Sequence, residues 1–127
     1  MAKLIELKTF ADQRGNLSVI EEPQLPFAIK RVFYIYGVDS STRGGHRHHK
    51  TRQALICLRG GCVVDSDDGT ARETFALDSP RKCLILEPRD WHVLHHFTPD
   101  AILIVFASER FEEKDYIFEK YPERVNQ

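Results

Sequence analysis

The stretch RGGHRHHKTRQ, residues 43–53, decides how this chain is interpreted. His46 and His48 are two residues apart, and Gln53 and then Gly60 follow after four and six intervening residues. Side chains at positions i and i+2 of a β-strand point to the same face of the sheet. The pattern therefore predicts a strand that aims two imidazoles into one cavity, where they can transfer protons or hold a metal.

Composition limits the classes of protein to which this chain can belong. Its 127 residues suit a single domain, residues 1–127, and a hydrophobic content of 42% is enough for a folded core. The 18 basic and 19 acidic residues nearly cancel, which argues against nucleic-acid and membrane-surface partners. The amino terminus has no long apolar stretch, so we expect no signal peptide and a cytoplasmic location.

Short apolar or alternating runs recur along the chain, with turn-forming residues between them. Each run is four to eight residues long and rich in β-branched and aromatic residues, which is typical of strands. The runs cover residues 4–10, 17–21, 31–38, 53–58, 62–66, 72–77, 83–86, 91–97 and 101–108. Their spacing predicts an all-β sandwich or barrel, followed by a short helix or turn between residues 111 and 122.

A second group of histidines, His92, His95 and His96, lies in the stretch PRDWHVLHH, residues 88–96. Because strand parity separates His92 and His96 from His95, all three cannot face one cavity without a β-bulge. Either His92 or His95 is predicted to join the first histidine pair, and the sequence does not choose between them. Trp91 is predicted to line the same cavity and to stack on a flat part of a ligand.

Four further residues are candidates for contacts with a ligand. Tyr36 ends the strand that precedes the histidine pair, and its hydroxyl can donate a hydrogen bond to a carbonyl or an enolate. Arg14, Arg31 and Arg43 are spread over the first third of the chain, and their guanidinium groups suit a diphosphate. Each arginine taken singly, however, is more often a solvated surface charge.

The residues described so far give the chain a specific resemblance. The spacing of the two histidines, Gln53 and Gly60 is that of the first cupin motif, with Gln53 in place of the usual glutamate. Over most of its length the chain resembles the sugar-nucleotide 3,4-ketoisomerases, small cupins that act on dTDP-4-oxo-6-deoxy-D-glucose. The segments that carry the resemblance include DQRG (12–15), KRV (30–32), RGGHRH (43–48), DSP (78–80) and WH (91–92).

The resemblance implies a fold, a reaction and a partner. The fold is a jelly-roll, or double-stranded β-helix, and the enzyme is a homodimer that exchanges strands. The reaction moves the ketone from C4 to C3 and gives a dTDP-3-oxo-6-deoxyhexose. Such products feed the synthesis of 3-amino-3,6-dideoxy sugars for surface glycans, including lipopolysaccharide O-antigen and S-layer glycans. His46 and His48 match the proton carriers of the family, which needs no metal and no other cofactor.

The residues agree with this chemistry. The C3 hydrogen is acidic because it lies α to the C4 ketone, so an imidazole can remove it and leave an enediol. We expect His48 or His46 to be this base, with the other orienting it or returning a proton to C4, and Tyr36 to assist. A product of galacto rather than gluco configuration is expected. The expected substrate contacts are Arg14, Arg31, Arg43, Gln53, Trp91, His92 and His95.

Three alternatives remain open from the sequence. Another enzyme of deoxysugar nucleotides, such as a 3,5-epimerase, also uses a histidine base. A metal-dependent cupin enzyme, such as a dioxygenase, is disfavoured because Gln53 supplies a neutral amide where a carboxylate would carry charge. A sugar-binding or regulatory cupin without catalysis would bind the nucleotide sugar without exchanging its C3 hydrogen.

Overall fold

The computed structural model describes residues 1–124, which form twelve strands and one turn of 3-10 helix. The strands are β1 Lys3–Glu6, β2 Lys8–Asp12, β3 Gly15–Val19, β4 Arg31–Ile35, β5 Arg43–His48, β6 Gln53–Arg59, β7 Cys62–Asp67, β8 Arg72–Leu77, β9 Lys82–Leu86, β10 Trp91–His95, β11 Ile102–Ala107 and β12 Tyr116–Ile117. The 3-10 turn, η1, covers Glu113–Asp115. No helix in the described part of the chain is long or apolar enough to cross a lipid bilayer.

Two five-stranded antiparallel sheets face each other. The first sheet has the order β1-β9-β6-β11-β4, and the second has the order β12-β5-β10-β7-β8. Strands β2 and β3 form a separate hairpin that pairs with neither sheet. From β4 onward, successive strands belong mostly in turn to the first and the second sheet, and the two sheets share one apolar core. This arrangement is the jelly-roll of the cupins, so the predicted fold class is confirmed.

The core lies between the sheets and follows strand parity. Leu55, Leu84 and Leu103 from the first sheet meet Val64 and Leu77 from the second, and all five are essentially inaccessible to solvent. Fully burying each such side chain stabilises the fold by about 1.5–3 kcal/mol. Because this apolar layer is closely packed, it holds in place the strands that carry the polar residues at one end of the barrel.

The first sheet is also covered on its outer face. Leu7 and Leu25 pack there against alternate residues of β6, Ala54 and Ile56. Because both faces of β6 are buried, its sequence is a nearly continuous apolar run and does not alternate. The predicted run of residues 4–10 is divided into β1 and β2 at Leu7, whose amide donates a hydrogen bond to the Arg81 carbonyl.

Turns and the carboxy-terminal segment match the sequence expectations in part. Asp68 and Gly69 form the turn between β7 and β8, where turn-forming residues separate two of the predicted runs, and Gly69 has a φ of 94°. The helix or turn expected between residues 111 and 122 is only the single turn η1. It is followed by β12, which pairs with β5 and extends the second sheet by two residues.

Candidate active site

A cavity of about 200 Å³ opens between the two sheets at one end of the barrel. Aliphatic residues of the core form its floor, and polar side chains from the second sheet form its wall. Its lining residues are Phe33, Ile35, Arg43, Gly44, His46, Gln53, Leu55, His92, Leu94, Val105 and Tyr116. Because protein interiors are otherwise close-packed, such a space with converging polar groups is a candidate ligand site.

Strands β5 and β10 are neighbours, and their register brings the two histidine motifs together. His46 lies opposite His92, and the centroids of the two rings are 4.9 Å apart. The pairing register between β10 and β5 shifts between His92 and Val93, where β5 has one extra residue, Gly45. His92 is 3% exposed and lines the cavity, whereas His95 does not line it.

Gly44 makes this close pairing possible. Its φ is 85°, and a Cβ atom at this position would lie 2.9 Å from the His92 carbonyl oxygen and 3.1 Å from Leu94 Cδ1. A side chain there would push β5 away from β10 and separate the rings of His46 and His92. The glycine is therefore required both by the backbone conformation and by the site.

His48 is buried beside the cavity, with its ring centroid 5.0 Å from that of His46 and 6.3 Å from that of His92. Its Nδ1 atom lies 3.0 Å from Asp115 Oδ2, and its Nε2 atom is buried without a hydrogen-bond partner in residues 1–124. Nδ1 of His92 donates to the Asp90 carbonyl at 2.9 Å, because a carbonyl only accepts. Both rings are thus anchored through Nδ1.

Burial keeps the three imidazoles uncharged. It is the largest cause that lowers the pKa of His46, His48 and His92, each to about 4. Neighbouring imidazoles lower each pKa further, since three cations cannot be placed together at low cost. At neutral pH each ring therefore has a free lone pair. Negative charge from a bound diphosphate or a forming enolate would raise these pKa values towards those of an effective base.

An aromatic wall closes the site on the side of the carboxy-terminal segment. The Tyr116 ring lies 4.6 Å from His46 and 4.7 Å from His48, measured between centroids. Phe118 and Phe111 flank it, with Phe118 at 6.1 Å from His46 and Phe111 at 5.7 Å from Tyr116. Tyr116 was not among the predicted site residues. The available signal was the aromatic content of residues 111–121, where the sequence predicted only a short helix or turn.

Two of the predicted arginines lie near the cavity. Arg43 lines it at the start of β5. Arg31 lies on β4 with its guanidinium 5.3 Å from the Phe33 ring and 5.7 Å from the Phe111 ring. Burial and the neighbouring His46 are the larger causes that lower the pKa of His48, and the charge of Arg31 lowers it further.

Four other predicted residues lie outside the cavity within this chain. Tyr36 follows β4, is 68% exposed and stacks on Tyr34, because β4 turns its alternate residues Phe33 and Ile35 inward. Trp91 and His95 have the parity opposite to that of His92 and face the outer side of the second sheet.

The outward-facing residues have partners of their own. Trp91 donates from Nε1 to the Phe118 carbonyl, and His95 Nε2 lies 2.7 Å from Asp65 Oδ2. Arg14 lies at the tip of the β2–β3 hairpin, with Nη2 2.6 Å from Asp12 Oδ2. A single chain therefore brings together His46, His48, His92, Gln53 and Arg43, with Arg31 nearby, but not these four residues.

A metal is the group that the cupin fold commonly implies at this position. Within residues 1–124, no three or more His, Cys, Asp or Glu side chains are arranged to hold a metal ion. Gln53 contributes a neutral amide to the cavity wall, which is a poor ligand for a divalent cation. The residues present do not fit a cupin metal centre.

Comparisons with known proteins point to one family. The family model described as "FdtA: WxcM-like, C-terminal" matches residues 1–124. A TDP-4-oxo-6-deoxy-alpha-D-glucose-3,4-oxoisomerase from Aneurinibacillus thermoaerophilus is 42% identical over 131 residues, which cover 98% of this chain and 94% of that protein.

Solved structures agree with the sequence comparison. A mutant of the 3,4-ketoisomerase QdtA from Thermoanaerobacterium thermosaccharolyticum, in complex with TDP-4-keto-6-deoxyglucose, is 38% identical with a TM-score of 0.87, covering 93% of this chain and 87% of that one. A 3,4-ketoisomerase from Helicobacter canadensis is 32% identical with a TM-score of 0.88, covering 93% and 90% of the two chains.

Proposed function

Because the chain belongs to the FdtA family of sugar-nucleotide 3,4-ketoisomerases, we propose that it converts dTDP-4-oxo-6-deoxy-D-glucose to a dTDP-3-oxo-6-deoxyhexose. The observation that carries the proposal is the cavity in which uncharged His46 and His92 face each other, with the ring of His48 beside them. An arrangement of neutral imidazoles suits proton transfer between adjacent carbons and needs no redox cofactor.

His46, which lines the cavity, is the base in this proposal. It takes the C3 proton, and the electron pair of the broken C–H bond forms the C3–C4 double bond of the enediol as the C4 carbonyl oxygen gains a proton. The C3 hydroxyl then loses its proton, C4 gains one, and the ketone is left at C3. The ring of His48 lies beside that of His46 and is proposed to orient it or to return the proton to C4. Tyr116, whose ring borders both His46 and His48, takes the assisting role that the sequence analysis gave to Tyr36.

The size of the cavity supports a proposal that the hexose and the nucleotide of the substrate bind in different parts of the site. At about 200 Å³ it is smaller than the roughly 300–1,000 Å³ of pockets that enclose drug-sized ligands. It suits the hexose ring, so the nucleotide lies outside, along the rim. Arg43 and Arg31 are the proposed partners of the diphosphate there, and Gln53 is the proposed partner of a sugar hydroxyl.

Assembly and product follow the same proposal. We place the enzyme in the cytoplasm as a homodimer, with the product used to make 3-amino-3,6-dideoxy sugars for surface glycans. In this dimer the β2–β3 hairpin of one chain packs on its partner and delivers Arg14 to the other subunit's site. The proposed product has the galacto configuration, which requires C4 to be protonated on one defined face of the enediol.

Proton NMR with the purified protein and dTDP-4-oxo-6-deoxy-D-glucose tests the function. We expect a 3-oxo product with a small coupling between H4 and H5, as in a galacto sugar. A large coupling would contradict the stereochemistry but not the isomerase. Exchange of the C5 hydrogen without a 3-oxo product would indicate an epimerase. Binding of the nucleotide sugar without hydrogen exchange would indicate a non-catalytic cupin. Loss of activity on addition of a chelator would indicate a metal-dependent enzyme.

A further inference from the structure

Trp91 is a predicted site residue that the structure places on the outer face of the second sheet, although its neighbour in the chain, His92, lines the cavity. The indole Nε1 of Trp91 donates a hydrogen bond to the Phe118 carbonyl at 3.1 Å. Phe118 directly follows β12, and Tyr116 in β12 lines the cavity. A side chain outside the barrel therefore holds the backbone next to a wall inside it.

The pairing of β12 with β5 is too short to fix this wall by itself. Tyr116 and Ile117 are the two residues of β12, and they pair with His48 and Arg47 at the edge of the second sheet. An edge element with so few hydrogen bonds opens locally more readily than the core does. Hydrogen bonds to Asp115 anchor the chain before Tyr116. The wall is fixed on both sides only if the chain after β12 is held as well.

The chain after β12 crosses the outer face of the second sheet as a strap, residues 118–124. Tyr121 donates from its hydroxyl to the Arg89 carbonyl at 2.7 Å, and its ring centroid lies 4.4 Å from the Arg47 guanidinium. Arg124 Nη2 lies 2.7 Å from Asp67 Oδ1 at the end of β7. Since β5, β10 and β7 are successive neighbours in this sheet, the strap is attached across three strands.

Two further contacts show that the strap is packed against the sheet. A Cβ atom at Gly69 would lie 3.1 Å from Tyr121 Cε1, so the glycine of the β7–β8 turn leaves room for the tyrosine ring. Lys120 Nζ lies 5.5 Å from the centroid of the Trp91 ring, where a cation is attracted to the face of an indole. Trp91 and Tyr121 are thus the two aromatic attachments of the strap.

We propose that Trp91 and Tyr121 are positioning residues, which hold the strap on the outer face of the second sheet and thereby keep Tyr116 against His46. The rings of Tyr116 and His46 are 4.6 Å apart between centroids and line the cavity, whereas neither Trp91 nor Tyr121 lines it. The effect on catalysis rests on the proposed function, in which Tyr116 assists the base. The strap itself is a property of the free protein.

Fluorescence tests the strap without substrate, because Trp91 is the single tryptophan of the chain. The variant Tyr121→Leu removes the hydroxyl donor and the ring beside Arg47 but leaves Trp91 in place. We expect the Trp91 emission to shift to longer wavelength and its quenching by acrylamide to increase, because release of the strap exposes the indole to water. Identical emission and quenching in the two proteins would overturn the proposal.

Amide hydrogen exchange of Trp91→Leu/Tyr121→Leu locates the opening. This double variant removes both hydrogen bonds described above, and each such bond changes an opening equilibrium roughly fivefold. We expect the amides of β12 to exchange about 20-fold faster or more than in the wild-type protein, while those of β6 and β11 stay protected. The nuclear Overhauser effect between the ring protons of Tyr116 and His46 should weaken. Unchanged exchange in β12 would contradict the proposal.

Steady-state kinetics connects the strap to the site. We expect kcat of the double variant to fall about fivefold or more with little change in KM, because a displaced wall costs catalytic geometry. The single variants Trp91→Phe and Tyr121→Phe each lose one hydrogen-bond donor but keep an aromatic ring. Their exchange rates in β12 and their kcat values should lie between those of the wild-type protein and the double variant. Fast exchange in β12 with wild-type kcat would refute the positioning role.

Thr74→Val is the matched control. It removes one hydrogen bond on the same face of the sheet, from Thr74 Oγ1 to Asp65 Oδ1 at 2.8 Å, without touching Trp91 or Tyr121. We expect wild-type exchange in β12 and wild-type kcat, and losses as large as those of the double variant would count against a specific role of the strap. A wild-type protein without isomerase activity, whose fluorescence and exchange still respond as expected, would instead contradict the proposed function.

Discussion

At the scale of the residue, the three histidines of the site differ in what holds their Nδ1 atoms. His48 is held by a carboxylate and His92 by a backbone carbonyl, whereas His46 lies between their rings. The rings of His48 and His92 are therefore held in fixed orientations. His46 lines the cavity beside them and is the ring proposed as the base, although burial lowers the pKa of all three to about 4.

These lowered pKa values predict how stability depends on pH. Burial lowers the pKa of His48 and His92 from 6.5 in the unfolded chain to about 4 in the folded one. The unfolded chain therefore binds more protons between these values, and stability falls as the pH drops from 6.5 towards 4. Each ring contributes a slope of at most about 1.4 kcal/mol per pH unit. Urea unfolding at pH 7, 6 and 5 measures it.

The matched variant for this prediction is His92→Asn. Its amide keeps a donor for the Asp90 carbonyl but removes the titrating ring. Between pH 6.5 and 4, the slope of the unfolding free energy against pH should therefore be smaller in the variant by the contribution of one imidazole. An unchanged slope would show that His92 does not titrate in this range.

The same residues show how far the sequence alone could reach. The i, i+2 spacing predicted that His46 and His48 share a face, because strand parity is a local rule. The Asp115 partner was not predictable, since it depends on the pairing of a two-residue strand with β5 across the whole domain. For the same reason the sequence favoured Tyr36, near in the chain, where the structure places Tyr116 beside the two rings.

At the scale of the element, the site depends on how closely β5 and β10 approach. Parity along β10 turns His92 into the cavity and Trp91 and His95 to the outer face. The sequence predicted this alternation but not which face of β10 is turned towards the interior. Leu94 determines this, because its apolar side chain packs in the core and His92 lies on the same face of the strand.

Gly44 and Gly45 give a matched pair of variants for this contact. Both have a positive φ, 85° and 82°, so either change to alanine adds a strain of about 1–2 kcal/mol. Only Gly44→Ala also places a Cβ 2.9 Å from the His92 carbonyl, whereas at Gly45 nothing lies within 4 Å. We expect Gly44→Ala to lose about 1–3 kcal/mol more in denaturant unfolding, and to lower kcat.

Both variants carry the same backbone strain, so the difference in unfolding free energy between Gly44→Ala and Gly45→Ala reports the contact with β10 alone. Equal losses of stability and activity in the two variants would contradict the claim that close approach of β5 to β10 builds the site.

At the scale of the whole molecule, a single chain leaves apolar surface uncovered. Phe10 and Leu17 face each other across the β2–β3 hairpin and are 55% and 58% exposed. Strand β4 is an edge of the first sheet and exposes Val32 and Tyr34. An unpaired edge next to exposed apolar side chains is a surface for association, and it supports the proposed homodimer.

The double variant Phe10→Lys/Leu17→Lys should convert the dimer to a monomer. Light scattering should give the wild-type protein twice the chain mass of 14.7 kDa, and the variant a single chain mass with unchanged far-UV circular dichroism. Activity should fall with the dimer, because Arg14 at the hairpin tip is then far from any site. Ala76→Lys, an exposed change on β8, should remain a dimer. A wild-type monomer with full activity would contradict the proposal.

Isotope exchange in D₂O decides whether His46 transfers the C3 proton. The wild-type protein is mixed with dTDP-4-oxo-6-deoxy-D-glucose beside His46→Asn, which removes the imidazole from the cavity wall. We expect the wild-type protein to remove the C3 proton and form a 3-oxo product labelled at C4, and the variant to do neither. Isomerisation at an undiminished rate in His46→Asn, or deuterium entering at C5 alone, would contradict this assignment.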